Sequence, residues 1–186
     1  MRLAFLLILV PFISFYQGRY YRHDIYQIFD SDLVVRGQIV QNRTYSILVR
    51  LDEIIKGNKY GLKPGDHVKL ATGNNDDVIT IFEPKYPKGI FYLKKYPNRW
   101  SLNGDFGYMT TLGDDSTKIV SAFENAHVPN DDFKRQVNEA LNCFECRLDT
   151  FLCDPKIDSG LLIERSVNNE FIKLLIETQN RYIFLR

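Results

Sequence analysis

From Asp32 to about Asp105, apolar and polar residues alternate with a period of two, the repeat that puts successive side chains on opposite faces of a strand. "DLVVRGQIV" sets Leu33, Val35 and Ile39 on one face against Val34, Arg36 and Gln38, with Gly37 at a position that suits a bulge or sharp bend. "YSILVRLDEIIKG" continues with Ile47, Val49 and Leu51 opposite Leu48, Arg50 and Asp52. "LKPGDHVKLATG" opens on a Pro-Gly turn and predicts a third strand through Val68 and Leu70. "DDVITIF" predicts a short fourth element. "KGIFYLKKYPNRWSL" predicts a hairpin, Ile90 to Lys95 and Arg99 to Leu102, turning at Pro97–Asn98. About five strands joined by turns, one with a glycine bend, predict a small antiparallel barrel.

Beyond Leu112 the period changes. Ile119, Ala122, Phe123 and Ala126 fall at helical spacing. "PNDDFKRQVNEALNCFECRLDTFLCDP" predicts a long helix, capped at Asn130 or Asp131 and closed by Pro155, with Phe133, Val137, Leu141, Phe144, Leu148 and Phe151 as one stripe. A last helix is expected over roughly 168–178, and "RYIFLR" as a strand. The chain therefore reads as mainly β plus α: a barrel over residues 24–112 and a C-terminal helical extension over 113–186.

The first residues add a compartment. Arg2 precedes an apolar run from Leu3 to Phe15, after which polar residues begin, the layout of a secretory signal peptide over residues 1–18. The run is too short for a comfortable membrane span and contains Pro11. A secreted or periplasmic location is expected. The net charge of +1 over 186 residues lacks the basic excess of a nucleic-acid-binding domain. The 13 Phe and 11 Tyr favour pleated, half-buried surfaces.

"SDLVVRGQIV", "VRLDEIIKG", "GDHVKLATG" and "GIFYLKKYPNRWSL", in this order, resemble the OB-fold of the tissue inhibitors of metalloproteinases, the netrin-like modules and their looser bacterial relatives. The resemblance covers about Ser31 to Asn103 and implies a closed five-stranded, OB-like barrel behind a signal peptide. In those inhibitors a cysteine at the mature N-terminus chelates the target protease's zinc. Here no cysteine precedes Cys143, so the resemblance implies the fold without the inhibitory chemistry.

Candidate chemistry is sparse. "PKYPKGIFYLKKYPNRW" interleaves cations and rings, and Lys85, Lys88, Tyr92, Lys94, Tyr96, Arg99 and Trp100 form a candidate binding surface. An OB barrel uses such a surface to stack bases or sugars while cations follow an acidic chain. The alternative is a hairpin with buried aromatics and solvated lysines. His23, His67 and His127 are dispersed and belong to no metal motif, and no nucleophile elbow, P-loop or dinucleotide fingerprint occurs. No catalytic residue, metal or cofactor is assigned. Asn42 heads an Asn-Arg-Thr glycosylation sequon expected in an exposed turn between two strands.

All three cysteines lie in "CFECRLDTFLC". A redox dithiol would sit at a helix N-terminus, and zinc would want a fourth ligand. On an unbroken helix Cys146 and Cys153 would lie about 10.5 Å apart along the axis, too far for a disulfide. A bridge, Cys146–Cys153 or Cys143–Cys153, therefore requires the helix to break, near Asp149–Thr150. Otherwise Cys143, Cys146 and Cys153 are packed thiols. The functional expectation is an exported, non-catalytic binding protein whose partner is a protein or glycan rather than nucleic acid. A structural component of an envelope or extracellular assembly is the alternative, and an enzyme with a site between barrel and tail is a third.

Overall fold

The computed structural model describes residues 24–43, 45–71, 88–102, 109–120, 124–147 and 152–184. The leader expected over residues 1–18, the element expected in "DDVITIF", Lys85 and His23 lie outside them. A short helix α1 (Asp24–Asp30) leads into β1 (Leu33–Arg43), β2 (Ser46–Lys56), β3 (His67–Ala71), β4 (Lys88–Tyr96), β5 (Arg99–Leu102) and β6 (Met109–Thr111). Then follow β7 (Ser116–Val120), β8 (Asn125–Pro129), α2 (Phe133–Cys143), β9 (Phe144–Arg147), β10 (Leu152–Pro155), α3 (Ser159–Ser166) and α4 (Glu170–Phe184).

Strands β1 to β5 close into a five-stranded barrel in the order β1-β2-β3-β5-β4, because β1 also pairs with β4; β6 adds to the free part of β4. All pairings in this sheet are antiparallel except β3–β5, which is parallel, a departure from the wholly antiparallel barrel expected. The period-two faces fall as the sequence predicts. Leu33, Val35, Ile39, Ile47, Val49, Leu51, Val68, Leu70, Phe91, Leu93 and Leu102 fill the barrel. Gly37 marks a register shift between β1 and β2. A Cβ there would sit 2.5 Å from the Arg50 carbonyl oxygen, so the bend admits only glycine.

A second core lies outside the barrel. Val34, Ile90 and Tyr92 point outward from β1 and β4 and pack with Ile25 and Ile28 of α1, Val128 of β8, Phe133 and Val137 of α2, and Phe171 and Leu175 of α4. Phe133 and Phe171 meet edge to face at 5.3 Å. This two-sided burial explains why "LVV" and "IFYL" are continuous apolar runs. The buried Asn169 ties α2 to α4: its side-chain oxygen accepts from Ile172 N, and its amide nitrogen donates to Gln136 O and Glu139 Oε2, each at 3.0 Å.

The region after 112 is less helical than its spacing predicts. Ile119 and Ala126 lie opposite each other in the β7–β8 hairpin, not on a helix, and buried Ala126 and Val128 alternate with exposed Asn125 and His127. The helix from Phe133 stops at Cys143: Phe144 is extended at φ −131°, ψ 155°, and β9 pairs with β10. Lys156 N donates to Cys143 O at 2.8 Å, giving that helix-terminal carbonyl a partner. The stripe continues to Phe144 only because a strand can also turn that residue inward; Leu148 and Phe151 lie outside the described residues. The expected terminal strand is instead the last turn of α4, through Phe184.

The early break settles the cysteines. Cys146 and Cys153 face each other across β9–β10 and form a disulfide, with Cα atoms 3.9 Å apart. The break falls at Cys143–Phe144, six residues before the expected turn. Cys143 is a buried free thiol that accepts a hydrogen bond from Arg165 Nη1 at 3.5 Å.

Candidate binding site at the barrel mouth

The pleat of the β4–β5 hairpin divides the basic–aromatic stretch between two faces. Leu93 and Leu102 pair inward, so Lys95 and Trp100, two residues nearer the turn, share that side and close one end of the barrel. Lys94 and Ser101 face outward, as do Tyr96 and Arg99. Trp100 packs half-buried against the barrel core. Tyr60 meets it edge-on at 4.9 Å, and Lys95 Nζ lies 4.8 Å from its ring centre. Lys59 Nζ lies 5.2 Å from the Tyr60 ring. On the other face the Arg99 guanidinium lies 5.5 Å from the ring of Tyr96, which is 47% exposed.

The expected surface is therefore smaller than the sequence suggests. Tyr92 is wholly buried in the outer core and belongs to no surface, because the outward face of β4 is covered by the C-terminal elements. Lys94 is held by Asp30 at 2.6 Å. Lys88 is exposed at the far end of β4, roughly 25 Å from Tyr96 by strand rise. What remains is two small groups, Trp100 with Lys95, Tyr60 and Lys59 at the mouth, and Tyr96 with Arg99 on the outward face. Lys59 and Tyr60 were missed because they come from the connection after β2. The signal for them is the spacing of Gly57 and Gly61 in "KGNKYG". Both glycines have positive φ, 95° and 70°, and they bracket the single turn that carries Tyr60. At Gly57 a Cβ would also lie 2.5 Å from Asp32 O, so this turn is pressed against the start of β1.

Beside the mouth is a depression of about 430 Å³, bounded by residues 29–32 and 56–59. Lys56 is in its wall, and its Nζ donates to Ile28 O at 2.8 Å and Phe29 O at 2.9 Å, carbonyls at the end of α1. Burial, reinforced by Lys94, lowers this amine to about 8, against the opposing pull of Asp32 and Asp30. Asp32 also accepts from Lys95 N at 2.9 Å, so depression and mouth share a wall.

At the opposite end, a cleft of about 200 Å³ is lined by Gln41, Arg43, Ser46, Ile47, Leu48 and Lys69. Asn42 is not in a turn: it lies in the last ladder positions of β1, opposite Ile47, and is half-buried. His67 and His127 are exposed strand residues. Among the described residues no group of His, Cys, Asp or Glu could hold a metal ion, and no helix is long and apolar enough to cross a membrane. No protein-family model, curated protein or solved structure matches this chain.

Proposed function

We propose that this chain is an exported binding protein that holds a protein or glycan partner at the mouth of an OB-type barrel. The observation that carries the reading is the cluster of Lys59, Tyr60, Lys95 and Trp100, with Tyr96 and Arg99 on the adjoining face. Rings on paired strands offer flat apolar area at little entropic cost, and the flanking cations meet acidic groups. The closure order, with its one parallel β3–β5 pairing, supports the OB assignment and hence the resemblance to the inhibitor and netrin-like barrels. The disulfide and the leader pattern support export into an oxidising compartment. The barrel spans most of residues 24–112, and the elements after it act as a covering layer.

The test is capture of partners from the source of the protein by the immobilised full chain, repeated with Trp100→Ala, Tyr96→Ala and the charge reversals Lys59→Glu and Lys95→Glu. The two reversals leave the barrel core untouched. Loss of a captured partner in Lys95→Glu and Trp100→Ala, with an unchanged circular dichroism spectrum, is expected. Undiminished capture by all four variants would sink the mouth as the binding surface.

A second reading, a component of an envelope or extracellular assembly, is favoured by α3 and its end. Leu161, Ile163 and Val167 are 49%, 64% and 74% exposed there. Changing these three to serine would alter sedimentation mass under that reading and leave it unchanged under the first.

A further inference from the structure

We infer that the cleft at the far end of the barrel is a site for a sugar carboxylate, a hexuronate ring either free or within an acidic polysaccharide. The site is independent of the partner proposed for the mouth. Its side chains are brought together by a break in the β1 pattern. Leu33, Val35 and Ile39 send odd-numbered positions into the barrel, and the same period would send Gln41 and Arg43 inward as well. A register shift between Ile39 and Gln41 instead inserts Val40 as an extra residue, so that Gln41 pairs with Leu48 and Arg43 with Ser46. Such a bulge re-aims the side chains that follow it. Ser46 and Leu48 alternate with the inward Ile47 and Val49, and Lys69 pairs with Leu48 from β3. Gln41, Arg43, Ser46, Leu48 and Lys69 thus share the outer face, around a cleft of about 200 Å³.

Their chemistry is left unanswered within the described residues. Ser46 is only 9% exposed, yet its hydroxyl has no hydrogen-bond partner among them. Arg43 and Lys69 are exposed and make no ion pair with them. No lining residue is acidic, and Asp52, further along the same face of β2, is held by Arg50 at 3.1 Å. The cleft therefore favours an anion. A planar guanidinium binds a carboxylate through two parallel hydrogen bonds, and an ammonium adds a second charge. Gln41 and Ser46 each donate and accept, as sugar hydroxyls do. Leu48, half-buried between them, offers an apolar floor to the C–H face of a ring. By strand spacing and rise the Cα atoms of Arg43 and Lys69 stand about 12 Å apart, a gap that one ring and two long side chains span. The volume admits one such ring and not a folded segment of a protein.

The test titrates the isotope-labelled full chain with sodium glucuronate and follows the backbone amides by NMR. Saturable shifts at Ser46, Leu48 and Lys69 are expected, with none at Lys95 or Trp100. Arg43→Gln should weaken binding about ten-fold and Ser46→Ala about three-fold, from the usual worth of charged and neutral hydrogen bonds. Lys88→Gln should leave it unchanged, and circular dichroism of each variant controls for folding. Methyl glucoside should bind at least ten-fold more weakly than glucuronate, and equal binding would overturn the inference. Acetate or a short polyglutamate peptide that matched glucuronate at these amides would overturn the sugar assignment. A glucuronate-containing oligosaccharide separates the two sources: tighter binding than the monosaccharide supports a polymer, and equal affinity per ring supports the free sugar. Absence of shifts at these amides with both ligands overturns the inference.

Discussion

Replacing Gly37 with alanine tests the barrel where two of its strands approach closely. Gly37 is paired on both sides, with Leu51 of β2 and Gly89 of β4. An added Cβ would lie 2.5 Å from Arg50 O and 2.9 Å from Val49 Cγ1, about 0.9 Å inside the 3.4 Å of ordinary contact with the carbonyl. The valine can change rotamer, but a backbone oxygen cannot move without its strand. In a closed barrel the strands cannot part at a free edge, so relief must come from stretched ladder bonds on β1. Overpacking costs about 1–3 kcal/mol, and each weakened hydrogen bond about 1 kcal/mol more, so Gly37→Ala should destabilise by about 3 kcal/mol. The assay is urea unfolding followed by far-ultraviolet circular dichroism. Gly61→Ala is the control: nothing lies within 4 Å of its Cβ, and only its φ of 70° is unfavourable. That strain costs about 1–2 kcal/mol. A Gly37→Ala penalty smaller than that of Gly61→Ala would refute the close-approach argument.

Two further outcomes follow from the covering layer and the depression. Serine at both Cys146 and Cys153 opens a short loop, separation 7; chain entropy puts the loss at about 2.5 kcal/mol, or about 5–10 °C in Tm by calorimetry, and an unchanged Tm would contradict it. For Lys56 the folded value, about 8, lies below the unfolded 10.5, so between these the unfolded chain binds more protons and stability rises with pH. The penalty is complete below pH 8 and relieved toward 10.5. The urea midpoint of the wild type should therefore gain on Lys56→Met as pH increases from 7.5 to 10, whereas a constant difference would contradict the assignment.

The barrel strands are legible because each buries one face in a common interior, and a period of two survives whatever covers the other side. Ile47, Val49 and Leu51 show it plainly, with Leu48 and Arg50 half-exposed between them and Asp52 half-exposed after them. Beyond Leu112 the elements are short and pack against the outer core from several directions, so the local period loses its meaning. Phe144 stands at helical spacing from Val137 yet is buried from a strand. The pattern also omits α1, a seven-residue helix whose Ile25 and Ile28 are buried by tertiary packing rather than marked by a cap or a long repeat.

The binding surface shows the same limit in chemical form. A run such as "GIFYLKKYPNRW" looks like one platform because cations and rings alternate in it. Alternation in a strand separates neighbours instead of gathering them. Phe91 goes into the barrel, Tyr92 into the outer core, Lys94 to Asp30, and Lys95 to the ring of Trp100. The residues that complete the mouth, Lys59 and Tyr60, are brought in by a glycine-bracketed turn some 35 positions earlier, which contributes no period at all. A stretch rich in candidate ligand-binding types therefore identifies the hairpin, but only the pleat decides which side chains share a surface. Charge reversal at Lys95 should accordingly weaken a partner held at the mouth far more than reversal at Lys88, although the two lysines are equal members of the same sequence run.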